Sequence, residues 1–97
     1  VTKSTWNGMN SSAWKQDIMA VNGFDTRMQY GGEDREFGER LVNYKVKGKQ
    51  IRYSAICLHL FHLRGYKNEV AIIANLNIRA QTKKEKIIKT PFGISQL

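Results

Sequence analysis

Apolar positions recur at helical spacing near the start of the chain: Trp14, Ile18 and Val21 stand at i, i+4 and i+7. Ser11 or Ser12 supplies a capping hydroxyl ahead of them, so the pattern predicts a helix running to about Val21. Asn22-Gly23 stops it, since glycine takes the left-handed conformation at a helix end without a Cβ penalty. Phe24-Asp25 then leads into a loop containing Tyr30-Gly31-Gly32. Phe37, Leu41 and Tyr44 repeat the spacing and predict a second helix from Glu33 to near Tyr44. Its first turn carries Glu33, Asp34 and Glu36, where the helix dipole favours negative charge. Lys45-Val46-Lys47-Gly48 closes it. The apolar run Ile51 to Leu60, between Gly48 and Gly65, predicts a strand. Asn68 to about Gln81 reads as a third helix of weaker pattern, and Pro91-Phe92-Gly93 marks a turn in the basic end of the chain.

Three helices and one strand make an incomplete α/β unit, because amphipathic helices with a single buried strand need a further layer to cover them. Val1 stands where a full-length protein would begin with Met, and no signal-like apolar segment follows it. The expectation is therefore a piece of a longer protein, with a motif-bearing part at 7–65 and a basic helical tail at 66–97. No apolar run approaches the ~20 residues of a membrane span.

Charge divides the chain unevenly. Net charge is +8, yet six of the eight acids (Asp17, Asp25, Glu33, Asp34, Glu36, Glu39) fall within the first 39 residues. Bases crowd into Lys45–Arg52 and Arg79–Lys89. Such clusters attract phosphate-bearing partners, although a solvated basic surface is the simpler account of them. Cys57 is the sole cysteine, which excludes an internal disulfide and a thiolate zinc site. Its apolar neighbours Ala55, Ile56 and Leu58 predict a buried packing role.

Two stretches can carry chemistry. In Tyr30-Gly31-Gly32-Glu33-Asp34, the glycines allow backbone to approach a bulky ligand and two adjacent carboxylates open a helix, so they can serve different ligand groups. A helix start after a flexible loop explains the same residues without chemistry. In His59-Leu60-Phe61-His62, the histidines point apart on a regular strand, so one metal can take both only if the strand ends or bulges. A hydrogen-bonded structural histidine is the alternative.

Taken in order, Gly8-Met9-Asn10, Trp14, Val21-Asn22-Gly23-Phe24-Asp25, Tyr30-Gly31-Gly32-Glu33-Asp34, Arg40-Leu41 and His59-Leu60-Phe61-His62 resemble the C-terminal region of family 2-type bacterial glycosyltransferases. The same set is similar to a segment of the animal β-1,4-galactosyltransferases and the chondroitin polymerases. The resemblance implies a GT-A, Rossmann-like fold that this mostly helical segment, with one or two strands, would complete. It implies an N-terminal half bearing an Asp-x-Asp motif, and no Asp-x-Asp occurs in this chain.

By the same resemblance, Asp34 is the general base toward the acceptor hydroxyl, and Asp after Glu33 implies an inverting reaction. Glu33 binds donor-sugar hydroxyls. Tyr30, where tryptophan is more usual, packs on sugar rings beside Gly31 and Gly32, and Gly8 lies where backbone approaches the donor. His59, with His62 second, helps hold Mn2+ or Mg2+, a cation bound only together with the N-terminal half. The implied partners are a nucleotide-sugar donor of UDP type carrying galactose or an N-acetylhexosamine, a glycan or lipid-linked glycan acceptor, and the protein's own N-terminal domain. The implied setting is bacterial polysaccharide biosynthesis in the cytoplasm, peripheral at the inner membrane face. The isolated chain is expected to be inactive. Arg35 departs from the family pattern by placing a base directly after the carboxylates.

Two other functions compete. A nucleic-acid-binding module follows from the +8 charge, but the aromatics keep helical core spacing rather than alternating with bases, so no nucleic-acid partner is expected. A metal hydrolase using His59 and His62 lacks a His-Glu-x-x-His helix or a clear third ligand.

Overall fold

The computed structural model describes residues 5–8, 10–51, 58, 60–63 and 68–97. Three helices form: α1 (Lys15–Ala20), α2 (Glu33–Asn43) and α3 (Glu69–Glu85), followed by a 3₁₀ turn at Ile94–Gln96. Among the described residues there is no strand. Most of the predicted strand, Ile51 to Leu60, lies outside them, as do Cys57 and its expected packing role; Ile51, Leu58 and Leu60 are exposed and extend no sheet.

The first helix is shorter than predicted. It starts at Lys15 behind Trp14, whose side chain makes no cap and is 78% exposed. Ser11 does not cap it either. Its hydroxyl donates to the Asn7 carbonyl and accepts the Asn7 N–H at 3.0 Å, closing the preceding loop instead. The expected Trp14–Ile18–Val21 face is thus reduced to Ile18 and Val21. Trp6 takes the place given to Trp14: it meets Phe37 edge-on at 4.9 Å, and Phe24 stacks on that ring at 4.6 Å. Gly38 makes room for Trp6, since a Cβ there would stand 2.5 Å from the Trp6 Cβ. Val21, Phe37 and Leu41 form the apolar core, with Trp6, Ile18 and Val46 against it. Tyr44, predicted on this face, caps α2 and stays partly open to solvent, outside the core.

Asn22-Gly23 ends α1 as expected. Both residues have φ of 68°, and the Gly23 N–H reaches back to the Ile18 carbonyl at 2.9 Å. The third helix begins as predicted, with the Asn68 side chain accepting the Ala71 N–H at 3.2 Å, but continues past Gln81 to Glu85. Its docked face is polar. Ala71, Asn75 and Thr82 are buried, while Val70, Ile73 and Leu76 face outward.

Much of what holds the unit together is polar. Arg40, fully buried, pairs with Glu36 one turn back (Nε to Oε2, 2.9 Å) and donates to the Val21 carbonyl. Thr82 of α3 donates to the same Glu36 carboxylate at 2.8 Å, joining α3 to α2. Buried polar groups persist mainly when hydrogen-bonded, and this cluster bonds across three segments, with Arg40 Nη2 alone left without a partner among the described residues. The basic tail is no appendage. Thr90 and Gly93 are buried against the Val21–Asp25 loop, and the predicted turn at Pro91-Phe92-Gly93 is what returns the chain to it.

Candidate active site

Two loops carry the sequence motifs, and the fold treats them differently. In the first, Asn22 bridges backbone across the molecule. Its Nδ2 donates to the Thr90 carbonyl and to Gln96 Oε1, both at 2.8 Å, and its Oδ1 accepts the Ser95 N–H at 2.8 Å. Asp25 is 3% exposed and accepts from Arg27 Nε (3.1 Å), Arg27 Nη2 (2.7 Å), the Arg27 N–H (2.9 Å) and Thr90 Oγ1 (2.9 Å). Burial alone would raise its pKa. The hydrogen bonds from Arg27 and Thr90, with the adjacent guanidinium charge, outweigh burial and hold the carboxyl below its ordinary value of 3.8. Arg27 also lies over the Phe92 ring at 4.4 Å. Asn22 and Asp25 are therefore fastenings for the C-terminal segment.

The second loop leads into α2. Gly31 and Gly32 have φ of 90° and 82°, the left-handed conformation that other residues reach only with strain, and Gly32 is the residue at which α2 begins. The helix then presents Glu33 and Asp34 in its first turn, both partly exposed. Asp34 Oδ2 accepts the Gly8 N–H at 3.0 Å and Oδ1 accepts the Arg35 N–H at 2.8 Å. This contact brings Gly8 and Asp34, 26 residues apart, to one place. Among the described residues the donors to Asp34 are backbone amides, and no hydrogen-bonding side chain engages it as Arg27 engages Asp25. Glu33 Oε2 is buried and has no hydrogen-bond partner among the described residues, a carboxylate oxygen left for some other donor. Tyr30 is partly exposed, and its carbonyl is held from α3.

Gly8, Tyr30, Gly31, Gly32, Glu33 and Asp34 thus gather around the head of α2. His59 lies outside the described residues. His62 is exposed, with Nδ1 3.1 Å from the Leu63 carbonyl. Among the described residues no three His, Cys, Asp or Glu side chains cluster closely enough to hold a metal ion. A divalent cation would need ligands beyond those described.

The sequence reading missed Asn75, whose Nδ2 donates to the carbonyls of Tyr30 and Gly31, and Arg79, which packs over Gly32 and pairs with Glu39 at 2.8 Å. The available signal was a stripe of small and polar residues, Ala71, Asn75 and Thr82, at i, i+4 and i+11. Among the described residues no helix is long and apolar enough to cross a membrane.

Comparison with curated proteins and with solved structures gives no match. The family model described as the N-terminal domain of galactosyltransferase matches residues 2–64, which contain both loops and all the candidate site residues. With well over half its length matched, the chain belongs to this galactosyltransferase family and is a glycosyltransferase-type domain.

Proposed function

We propose that the head of α2 is the acceptor-side part of a glycosyltransferase active site, moving galactose or an N-acetylhexosamine from a nucleotide-sugar, of UDP type, to a glycan or lipid-linked glycan acceptor. One observation carries this reading: a partly exposed carboxylate, Asp34, stands at a helix start beside the Gly8 backbone and a two-glycine elbow, held among the described residues by backbone amides alone. Such a group has lone pairs to spare for an incoming hydroxyl.

In the proposed reaction, Asp34 accepts the proton of the acceptor hydroxyl. That oxygen bonds to the anomeric carbon as the bond to the nucleotide diphosphate breaks, with inversion. Glu33 takes hydroxyls of the donor sugar, an assignment supported by its buried oxygen, which has no partner among the described residues. Tyr30 offers a ring face to a sugar, and Gly31, Gly32 and Gly8 admit the substrate close to the backbone. The rest of the catalytic domain, a GT-A fold with its Asp-x-Asp motif, is supplied by an N-terminal half that this segment completes. Mn2+ or Mg2+ would be held by His59, or else His62, together with that half, and would neutralise charge on the leaving diphosphate. The setting is cytoplasmic, peripheral at the inner membrane face.

The test uses the full-length protein, a panel of nucleotide-sugars and an acceptor glycan. Asp34→Asn should lower transfer ~100- to 10,000-fold with donor affinity retained, while Glu33→Gln also weakens donor binding. Turnover above about a tenth of wild type in Asp34→Asn, smaller than a general-base effect, removes Asp34 from that role. The isolated 97-residue chain should be inactive with every donor.

A further inference from the structure

Helix α3 lies beyond the residues that match the family, yet it reaches the candidate site. Asn75, 1% exposed, directs its side-chain amide at the two-glycine loop: Nδ2 donates to the Tyr30 carbonyl and to the Gly31 carbonyl, each at 2.8 Å. Only the amide nitrogen can donate to carbonyls, so the chemistry fixes the orientation of this side chain. The next carbonyl, that of Gly32, accepts the Glu36 N–H at 2.8 Å as α2 begins. Three successive carbonyls leading into the Glu33–Asp34 turn are therefore held, two of them by one residue.

The neighbours of Asn75 on α3 close the loop from the same side. A Cβ on Gly31 would stand 3.1 Å from Ile72, and one on Gly32 would stand 2.9 Å from the Arg79 side chain. Asn75 Oδ1 is itself buried without a hydrogen-bond partner among the described residues, a cost that an apolar side chain would not incur. What offsets it is the pair of loop carbonyls. Glycine pairs are the least restricted backbone there is, so without such a clamp the first turn of α2 would be poorly directed.

We propose that Asn75 is a positioning residue of the site: it locks the Tyr30–Gly32 loop and so sets the direction in which Glu33 and Asp34 are presented. The catalytic part of this inference rests on the glycosyl-transfer reading; the clamp itself does not.

The test is Asn75→Asp in the full-length protein, which keeps shape but removes both N–H donors, read by two measurements. Amide hydrogen exchange of the peptide spanning 30–34 should quicken by about tenfold or more, as for loss of two backbone-directed hydrogen bonds. Transfer should lose about 10- to 100-fold in kcat, the scale of misplaced catalytic groups, with donor KM near wild type. Thr82→Val is the control, since it loosens the far end of the α2–α3 contact without touching the loop. At equal loss of thermal stability it should leave exchange at 30–34 and kcat close to wild type. Unchanged exchange in Asn75→Asp overturns the clamp. Faster exchange with unchanged kcat, or an equal kcat loss in Thr82→Val, overturns the positioning role. If the wild-type protein transfers no sugar, the functional reading fails separately, and the exchange measurement alone decides the clamp.

Discussion

The chain contains two short loops of similar composition, Val21–Asp25 and Tyr30–Asp34. Each has an aromatic, left-handed backbone at glycine and a terminal aspartate. The first buries its aspartate under a guanidinium, a hydroxyl and a backbone N–H, and ties down the C-terminal segment. The second leaves its aspartate partly exposed, with two backbone amides as donors. Motif composition alone does not separate the two roles; the partners of each carboxylate do. A saturated, charge-paired aspartate has nothing left to offer a substrate, whereas Asp34 keeps accepting capacity and access to solvent.

Removing what the two loops share should do most damage. Arg40 holds the Val21 carbonyl of the first loop and the Glu36 carboxylate in the helix that follows the second. Arg40→Ala leaves a buried carboxylate unpaired, and a loss of about 3–5 kcal/mol is expected from denaturant unfolding, enough to leave little folded protein. Asp25→Asn attacks the first loop alone and should cost about 1–3 kcal/mol, because it weakens the Arg27 pair and the Thr90 contact without emptying the site. The pH dependence sharpens this. The Asp25 pKa is lower folded than unfolded, so its contribution is full above the unfolded value near 3.8 and is lost as pH falls through the folded one. The stability gap between wild type and Asp25→Asn should therefore be constant from pH 7 to 5 and shrink below about pH 4.

Gly93→Ala strikes the same fastening from the other side, with a comparable effect. Its Cβ would stand 1.9 Å from the Asn22 carbonyl, so the 3₁₀ turn must shift away, at a cost of about 1–3 kcal/mol. Trp14→Ser should lie at the bottom of the scale, within about 0.5 kcal/mol in thermal unfolding, since that ring is exposed and caps nothing.

What the sequence made readable follows from which forces leave a periodic trace. Phe37 and Leu41 place α2, and the Asn22-Gly23 stop and the Asn68 cap are local chemistry visible in single residues. Apolar periodicity misled in α1, where Trp14 completes a stripe that Trp6, eight residues earlier, in fact serves. In α3 the pattern was weak and marked no face: the apolar Val70, Ile73 and Leu76 face outward, while Asn75 and Thr82 face in because loop carbonyls and Glu36 await their donors. Long-range hydrogen bonding of this kind has no period. The carboxylate pair at Glu33–Asp34 was legible as a candidate site, but its contact with Gly8 was not, because no local rule links residues 26 apart. Of the histidine pair, only the second member, exposed His62, falls among the described residues.

The most direct test sets the two aspartates against each other in the full-length protein, as Asp25→Asn and Asp34→Asn, each measured for thermal stability and for sugar transfer per folded molecule. Asp25→Asn should lower the unfolding temperature and keep most of the turnover. Asp34→Asn should keep the unfolding temperature and lose ~100-fold or more in turnover. The account is contradicted if Asp34→Asn is the destabilised variant, or if it transfers sugar at close to the wild-type rate.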